Sequence, residues 1–235
     1  MVRAIFRFTA ALSFAFLVSV VHGQDTKAVI STFRLDSTDG LEVVNAKAET
    51  VDYLGKHAVH LVPLRGQETG DGAMLAILQA SEFKDGTIEV DVAGAPRPDA
   101  PADQRGFIGV LFRVQSHGER AEDFYLRPTN GRADDQLRRN HSVQYESAPD
   151  FPWHRLRKEN PGVYESYVDL EAGAWTRMKI VVAGTKARLY VNGADQPCLI
   201  VNDLKLGESH GQIAIWAHVA TDAYFSYLTM NPQVQ

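Results

Sequence analysis

Hydrophobic and polar residues alternate with a period of two along most of the chain, whereas the period of an amphipathic helix is nearly absent. In the stretch 87–92 an isoleucine and two valines fall on one side of an extended chain, and Thr87, Glu89 and Asp91 fall on the other. Such alternation is typical of a β-strand with one buried face. Glu89 and Asp91 are therefore expected on the outer side of a sheet.

Short β-rich runs recur between turn residues. Many short strands at near-regular spacing predict a two-sheet sandwich or a barrel, and no internal repeat indicates a propeller or a solenoid. Residues 93–104 contain three prolines and predict a loop. The predicted strands are 29–35, 58–64, 74–79, 87–92, 107–114, 123–127, 142–146, 164–169, 176–182, 187–191, 199–201, 212–217 and 223–229.

A strand, a tight turn and a second strand are predicted within 175–193. Gly184 and the pair Asn192-Gly193 supply residues that accept the positive φ angles of hairpin turns. This segment, which includes the sequence LYVNG, resembles the closing part of laminin-G-like and concanavalin A-like lectin and glucanase domains.

The segments 83–92, 106–114 and 212–217 resemble other strands of the same superfamily. The resemblance implies an all-β fold, a two-sheet antiparallel jelly-roll sandwich of the concanavalin A-like type. It also implies a range of functions, because this fold is shared by lectins, hydrolases and adhesion modules.

The N-terminus has the pattern of a secretory signal. Arg3 and Arg7 precede an almost wholly apolar segment, 10–21, and small residues follow it. We expect 1–23 to be removed as a signal peptide and 24–235 to form a single domain. About 12 apolar residues are too few to span a hydrocarbon core of ~30 Å, so no membrane insertion is expected after cleavage. The mature protein is therefore expected to be secreted or periplasmic.

The composition is that of an ordinary soluble globular protein, with 235 residues of which 45% are hydrophobic and 23% charged. A formal net charge of -5 argues against nucleic acid as a partner. Cys198 is the only cysteine, so no internal disulfide can form. Its apolar neighbours indicate a packing residue rather than a nucleophile.

The segment 124–157 places unusually many polar residues between predicted strands. In an extended chain Tyr125 and Arg127 share one face, and Gln144 and Glu146 share a face of the following strand. If the two strands are neighbours, one surface combines an aromatic ring with guanidinium, amide and carboxylate groups. Planar polar groups hydrogen-bond to sugar hydroxyls in pairs, and aromatic rings stack on the C–H surface of a sugar.

We therefore predict a lectin-like domain that binds a glycan or a related small polar ligand; the pattern specifies no oligomeric state. Trp153 is expected at the rim of this site and Trp216 in packing between strands. An alternative is that the arginines of the segment pair with its carboxylates and merely hold a long loop in shape. The predicted ligand-binding residues are Tyr125, Arg127, Asn130, Arg138, Arg139, Gln144, Glu146, Trp153 and Arg155.

Two other functions stay open. The segments 106–113, 143–144 and 175–193 resemble the exported bacterial 3-keto-disaccharide hydrolase-like domains, which implies glycoside hydrolase activity. The other alternative is a protein-binding adhesion module, as in many laminin-G domains. The candidate catalytic residues for a hydrolase are Glu89, Asp91 and Glu146.

These carboxylates differ in their expected protonation. Family 16 glucanases carry Glu-x-Asp-x-x-Glu on one strand, whereas Gly94 stands here in place of the third acid. Repulsion between Glu89 and Asp91 is expected to keep one of them protonated near neutral pH. Neighbouring arginines are expected to lower the pKa of Glu146.

No cofactor or metal site is predicted. The histidines lack the spacing of a zinc site, and no EF-hand pattern occurs. Calcium could use Asn130, Asp134 and Asp135, or the turn at Asp39 and Gly40, although no motif supports it.

Overall fold

The computed structural model describes residues 1, 29–68 and 72–233. The predicted signal segment 1–23 lies, apart from Met1, outside the described residues. Two antiparallel sheets pack face to face, with 52% of the structure in strands and 9% in helices. The predicted all-β jelly-roll sandwich is confirmed.

Most elements are short strands. In chain order they are β1 Ser31–Phe33, β2 Leu41–Val44, β3 Ala46–Tyr53, β4 Lys56–Pro63, β5 Ala73–Phe83, β6 Gly86–Pro96, β7 Ile108–Gln115, β8 Arg120–Leu126, β9 Val143–Ala148, β10 Glu165–Ser166, β11 Thr176–Ala183, β12 Lys186–Val191, β13 Leu199–Val201, β14 Gly211–His218 and β15 Thr221–Pro232. The helices are α1 Pro128–Gly131, α2 Gln136–Arg139, α3 Trp153–Glu159 and a 3-10 helix at Ser116–Gly118.

The first sheet has eight strands in the order β13-β12-β11-β6-β15-β4-β3, with β1 added beside β15. The second sheet has seven strands in the order β10-β9-β8-β7-β14-β5-β2. Strands that are neighbours in sequence are often separated in space, because the chain passes repeatedly from one sheet to the other. This is the topology of a jelly roll.

The hydrophobic core lies between the inner faces of the two sheets. Ile88, Val90 and Val92 of β6 point into it and are at most 1% exposed, as are Phe112 of β7 and Phe124 of β8. The intervening residues of each strand point outward because successive side chains alternate across a pleated sheet. The predicted strand pattern around 87–92 is confirmed.

The predicted strands and loops need correction at three places. The strands β2 and β3 were not predicted, because β3 is an edge strand whose charged residues hide the alternation. The predicted strand 164–169 reduces to β10, since only Glu165 and Ser166 pair with β9. The predicted loop 93–104 begins later, because β6 continues to Pro96 in register with β15.

The turn between β5 and β6 depends on Gly86. Its φ angle is +133°, and a Cβ atom there would lie 2.2 Å from the carbonyl oxygen of Asn231. Only glycine fits both conditions. The turn brings β5 of the second sheet directly into β6 of the first sheet.

The three helices gather at one end of the second sheet. Both α1 and α2 lie between β8 and β9, and α3 follows β9. Within the described ranges, no helix is long and apolar enough to cross a membrane. The short helices belong to the polar segment 124–157 or begin in it, and they lie beside the outer face of β8, β9 and β10.

Candidate functional site

The polar residues of β8 and β9 meet on the outer face of the second sheet. In the antiparallel register Tyr125 lies opposite Gln144, and Asp123 lies opposite Glu146. The condition set in the sequence analysis, that the two strands are neighbours, is therefore met. We call this surface the site face; its residues are Asp123, Tyr125, Arg127, Gln144, Glu146 and Trp216.

Asp123 lies on the floor of the site face and is only 6% exposed. Its Oδ1 accepts a hydrogen bond from the indole Nε1 of Trp216 on β14, two strands away, at 2.8 Å. Gly109 of the intervening strand β7 leaves room for this contact, because a Cβ there would lie 2.8 Å from Trp216 Nε1 and 2.6 Å from Tyr125 Cβ. Trp216 packs between strands, as predicted, and it also orients the carboxyl group.

Burial raises the pKa of Asp123 well above its usual range, and the nearby charge of Glu146 adds to the rise. The hydrogen bond from Trp216 acts in the opposite direction but is the smaller effect. A carboxyl group removed from water favours its neutral form. Asp123 is therefore inclined to hold a proton where exposed aspartates are ionised.

Glu146 is half-buried beside Asp123, and its Oε2 accepts a hydrogen bond from the backbone N–H of Trp153 at 2.9 Å. Burial raises the pKa of Glu146. The Trp153 N–H, Arg127 and His154 lower the pKa but do not compensate. The expected depression by neighbouring arginines is wrong, because loss of hydration outweighs their charge.

Arg127 directly follows β8 and is 5% exposed. Its guanidinium donates to Tyr125 Oη at 2.9 Å, to Gln144 Oε1 at 3.2 Å and to the carbonyl oxygen of His141 at 3.2 Å. Its Cζ also lies 5.0 Å from the ring centroid of Tyr125 and 5.9 Å from that of Trp153. Arg127 thus orders the polar floor of the site face.

The remaining predicted residues hold the loops. Asn130 is buried and donates to the carbonyl oxygen of His141, while its side-chain oxygen accepts from Arg138. Arg139 donates to Tyr167 Oη at 2.6 Å. Arg155 lies on α3, where it pairs with Glu159 one turn later.

Trp153 begins α3 and is 42% exposed, which is unusual for so large an apolar ring. The guanidinium of Arg157 lies 4.7 Å from its ring centroid. The ring stands at the edge of the site face and presents an open aromatic surface. That the ring borders a ligand site stays a prediction.

A groove of about 790 Å³ adjoins the site face beyond β9. Glu165 of β10 forms one wall of the groove. Arg157 donates hydrogen bonds to its carboxylate from two guanidinium nitrogens, and His141 Nε2 lies 3.2 Å from Glu165 Oε1. Burial lowers the pKa of His141, although the charge of Glu165 acts in the opposite direction. Tyr167 is 40% exposed at the same groove.

Glu89 and Asp91 lie on the opposite side of the molecule from Glu146, on the outer face of the first sheet. Arg177 of β11 bridges both carboxylates, and Lys56 contacts Asp91 at 2.6 Å. Burial alone would raise the pKa of Asp91, but Arg177 and Lys56 outweigh it and the pKa lies below its usual range. The sequence analysis expected repulsion to keep one member of the pair protonated, and for Asp91 that expectation is wrong.

The calcium candidates do not converge on a cation site. Asp135 accepts from the backbone N–H of Arg138 as the N-cap of α2, and the side-chain oxygen of Asn130 faces the Arg138 guanidinium. A cation beside that guanidinium would be repelled. Among residues 29–68 and 72–233, no group of three His, Cys, Asp or Glu side chains is placed to hold a metal ion.

Cys198 is partly buried and packs against the core. Burial raises the pKa of its thiol to about 12, so the nucleophilic thiolate is scarce at neutral pH. Cys198 directly precedes β13, and its thiol contacts the carbonyl oxygen of Leu189 on β12, so the residue is not part of the site face.

Two members of the site face were not predicted as site residues, namely Asp123 and Trp216. Asp123 could have been found by counting two residues back from Tyr125, since it shares the same strand face. The approach of Trp216 depends on the order β8-β7-β14, which no local pattern indicates. Glu165 and Tyr167 of the adjoining groove were missed for the same reason.

No protein-family model matches the chain, and no curated protein matches its sequence. Solved structures do resemble it. The carbohydrate-binding module CBM66 from Bacillus subtilis is 15% identical, with 80% of this chain and 92% of that chain covered and a TM-score of 0.52. A galectin-like-fold protein from Bacillus subtilis is 12% identical, with 88% and 97% covered and a TM-score of 0.58.

The exoplasmic/lumenal domain of VIP36, in a form bound to Ca2+ and Man3GlcNAc, is 10% identical, with 87% of this chain and 89% of that chain covered and a TM-score of 0.53. Identities this low establish the shape of the molecule and not its ligand. The chain has the two-sheet antiparallel jelly-roll fold that its sequence predicts.

Proposed function

We propose that this protein is an exported, lectin-like domain that binds a carbohydrate on the site face. The observation that carries the proposal is the composition of that surface. Carboxyl, amide and guanidinium groups lie on adjacent strands, beside the aromatic rings of Tyr125, Trp153 and Trp216. Most soluble proteins avoid so many buried polar groups on the outer side of a sheet unless the groups serve a ligand.

The chemistry of the surface suits a sugar. A carboxylate or an amide accepts hydrogen bonds from hydroxyl groups, and an open indole ring stacks on the apolar side of the sugar ring. Trp153 offers such a ring at the edge of the site face. The carbohydrate-binding module and the Man3GlcNAc-bound VIP36 domain among the similar structures support the same class of ligand.

The adjoining groove extends this surface across β9 and β10. Tyr167 supplies a second exposed ring, and Glu165, His141 and Arg157 supply polar groups. A ligand that uses both regions has more than one sugar residue. We therefore propose an oligosaccharide rather than a monosaccharide.

Export is part of the proposal and rests on the basic and apolar pattern of 1–23. Expression of the full chain in a secreting bacterial host, followed by mass spectrometry, tests it. We expect a product that begins near Gln24 outside the cytoplasm. A full-length product retained in the cytoplasm would contradict export.

Glycan-array screening followed by calorimetry tests the binding proposal. Trp153→Ala is expected to weaken binding of the best glycan at least about fivefold, since a lost aromatic stack is worth ~1 kcal/mol or more. Its thermal midpoint should change little, because the ring is 42% exposed.

Tyr227→Ala is the matched control, because this ring is 45% exposed on β15 of the first sheet. It should bind the glycan like the wild type. Equal affinity of Trp153→Ala and wild type, or no glycan bound by the wild type, would refute binding at the site face.

A further inference from the structure

Asp123 and Glu146 form a carboxyl pair with an unusual arrangement. They are directly opposite each other on β8 and β9, and residues so paired have Cβ atoms about 4.5–5.5 Å apart. Each carboxyl group is held by one donor, Trp216 Nε1 for Asp123 Oδ1 and Trp153 N–H for Glu146 Oε2. No donor among residues 29–68 and 72–233 contacts Asp123 Oδ2 or Glu146 Oε1.

The pair also lacks a direct ionic partner. Two other carboxylates of comparable burial are neutralised, Asp91 by Arg177 and Glu165 by Arg157, and a third, Glu122, accepts hydrogen bonds from Tyr145 Oη and the Leu206 N–H at its two oxygens. Within the described chain neither Asp123 nor Glu146 lies within ion-pair distance of a basic group. Two acids placed together in a partly dehydrated position cost stability, and such arrangements cluster at functional sites.

We infer that Asp123 and Glu146 hydrolyse a glycosidic bond of the carbohydrate bound at the site face. This inference rests on the proposed function, since it requires a sugar to lie across the pair. It differs from the hydrolase expected from the sequence, which included Glu89 and Asp91 of the opposite face.

The surroundings of the two acids assign their roles. Asp123 is the more buried, on the floor beneath Trp216, and is suited to hold the proton. Glu146 faces Arg127 beside β8 and His154 on α3, and it receives the Trp153 N–H, all of which favour its ionised form. Arg157 of α3 also lies near the site face, and Glu165 and His141 line the adjoining groove. Burial raises the pKa of both carboxyl groups, that of Asp123 well above its usual range, so Asp123 is the acid of the pair and Glu146 the nucleophile.

The reaction proceeds in two steps. In the first, Asp123 donates its proton to the glycosidic oxygen as the bond from that oxygen to C1 breaks, and Glu146 forms an ester to C1. In the second, a water molecule gives its proton to Asp123 while its oxygen displaces Glu146 from C1. One water is consumed, two hydroxyl-bearing sugars are released, and both side chains return to their starting states.

The direct opposition of Asp123 and Glu146 on neighbouring strands favours this double displacement. Retaining glycosidases place their carboxyl groups about 5–5.5 Å apart, whereas inverting enzymes leave about 6.5–9.5 Å for a water molecule. Side chains that start from directly opposed backbone positions can bring their carboxyl groups to the shorter distance. The anomeric configuration of the sugar should therefore be retained.

The test uses the mature protein with 4-nitrophenyl α- and β-glycosides of glucose, galactose, mannose and xylose, and with neutral oligosaccharides of the same sugars. Release of nitrophenol and of new reducing ends is measured. We expect turnover of at least one probe by the wild type, and a loss of at least 100-fold in kcat for Asp123→Asn and for Glu146→Gln. Asp195→Asn, an exposed aspartate in the turn after β12, is the control and should retain full turnover.

Further readouts separate chemistry from structure. The wild-type pH profile should be bell-shaped, and Asp123→Asn should lose its alkaline limb because the proton donor is gone. Added azide should restore cleavage by Glu146→Gly and yield a glycosyl azide, since a small anion can occupy the place of the missing carboxylate.

The possible failures are distinguishable. A wild type that binds glycans on an array but cleaves no probe would overturn the hydrolysis and leave carbohydrate binding intact. A wild type that neither binds nor cleaves would overturn both. Undiminished turnover in Asp123→Asn or Glu146→Gln would overturn the assignment of the pair.

Discussion

Arg113 is wholly buried, yet its guanidinium meets acceptors on every side. It donates to the carbonyl oxygens of Lys84, Gly184 and Gly207 and to the Asp85 carboxylate, at 2.7–3.1 Å. Asp85 also accepts the backbone N–H of Gly184 at 2.8 Å. One side chain thus ties together three turns, and its burial is compatible with a stable fold because its donors are satisfied.

Replacement of this arginine should be among the most destabilising changes in the chain. Arg113→Met keeps much of the volume but leaves three carbonyl groups and a carboxylate without their donor. The free energy of unfolding should fall by about 3–5 kcal/mol in urea titration. Arg34→Met, at a side chain that is 76% exposed, should change it by less than about 0.5 kcal/mol. A similar effect of the two changes would contradict the assigned role of Arg113.

Asp123 differs from Arg113, because its buried carboxyl group has only one hydrogen bond and no cation beside it. Its folded-state pKa lies above the unfolded value, so the protonated form favours folding. Its contribution to stability is present below about pH 4, the unfolded pKa, and is lost as pH rises through the raised folded pKa.

Asp123→Asn should remove the loss of stability that the wild type shows as pH rises, because an amide does not ionise. The unfolding free energy or thermal midpoint of the variant, relative to that of the wild type at the same pH, should therefore increase from pH 4 to pH 8. Asp195→Asn at an exposed turn should show no such trend. A difference between Asp123→Asn and wild type that is constant with pH would contradict the raised pKa.

At the scale of elements, α3 is held in place by its contact with β10. Arg157 donates to both oxygens of Glu165, whose side chain is 4% exposed. Arg155, on the same helix, pairs with Glu159 at the surface. The two arginines are two residues apart in sequence, but only Arg157 connects the helix to the sheet.

Their substitution should therefore have unequal effects. Arg157→Ala should lower the unfolding free energy by about 1–3 kcal/mol, because a buried carboxylate loses its main partner. Amide hydrogen exchange of α3 should accelerate. Arg155→Ala should cost less than about 1 kcal/mol, as exposed ion pairs usually do. Equal protection of α3 in the two variants would show that Glu165 does not anchor it.

How well a strand can be predicted from local sequence depends on how deeply it is buried. Strands such as β6 and β7 have apolar residues that alternate or run continuously, so their existence and faces could be predicted from local sequence. The edge strand β3 has exposed charged residues and its hydrogen bonds to β4 form without an apolar stripe. Such a strand forms because the backbone of the neighbouring strand offers hydrogen-bonding partners, and its local sequence has no clear strand pattern.

At the scale of the whole molecule, two stacked sheets present two unrelated outer faces. One carries Asp91 and Arg177 in a satisfied ion-pair network, and the other carries Asp123 and Glu146 without an ionic partner. The sandwich separates these acids, so a catalytic set that combines Glu89 or Asp91 with Glu146 cannot form. The proposed ligand site lies on the second face.

Far-ultraviolet circular dichroism tests the overall architecture. The mature chain should show a β-type spectrum, since strands make up 52% and helices 9% of the structure. A fitted helix content above about one fifth would contradict the fold, because ordinary domains of mixed class reach that level.

The sequence alone determined the fold class and the identity of most core strands, because alternation with a period of two is a local property that burial on one face imposes. It also indicated the polar segment 124–157 and the shared faces of Tyr125 with Arg127 and of Gln144 with Glu146. The tertiary structure decided which carboxylates meet. Asp123 and Glu146 lie on successive strands of one sheet, whereas Trp216 comes from β14, which joins that sheet after the chain has passed through β11, β12 and β13 of the other sheet. The raised pKa values of the two carboxyl groups follow from dehydration where these strands meet, which has no counterpart in the local sequence.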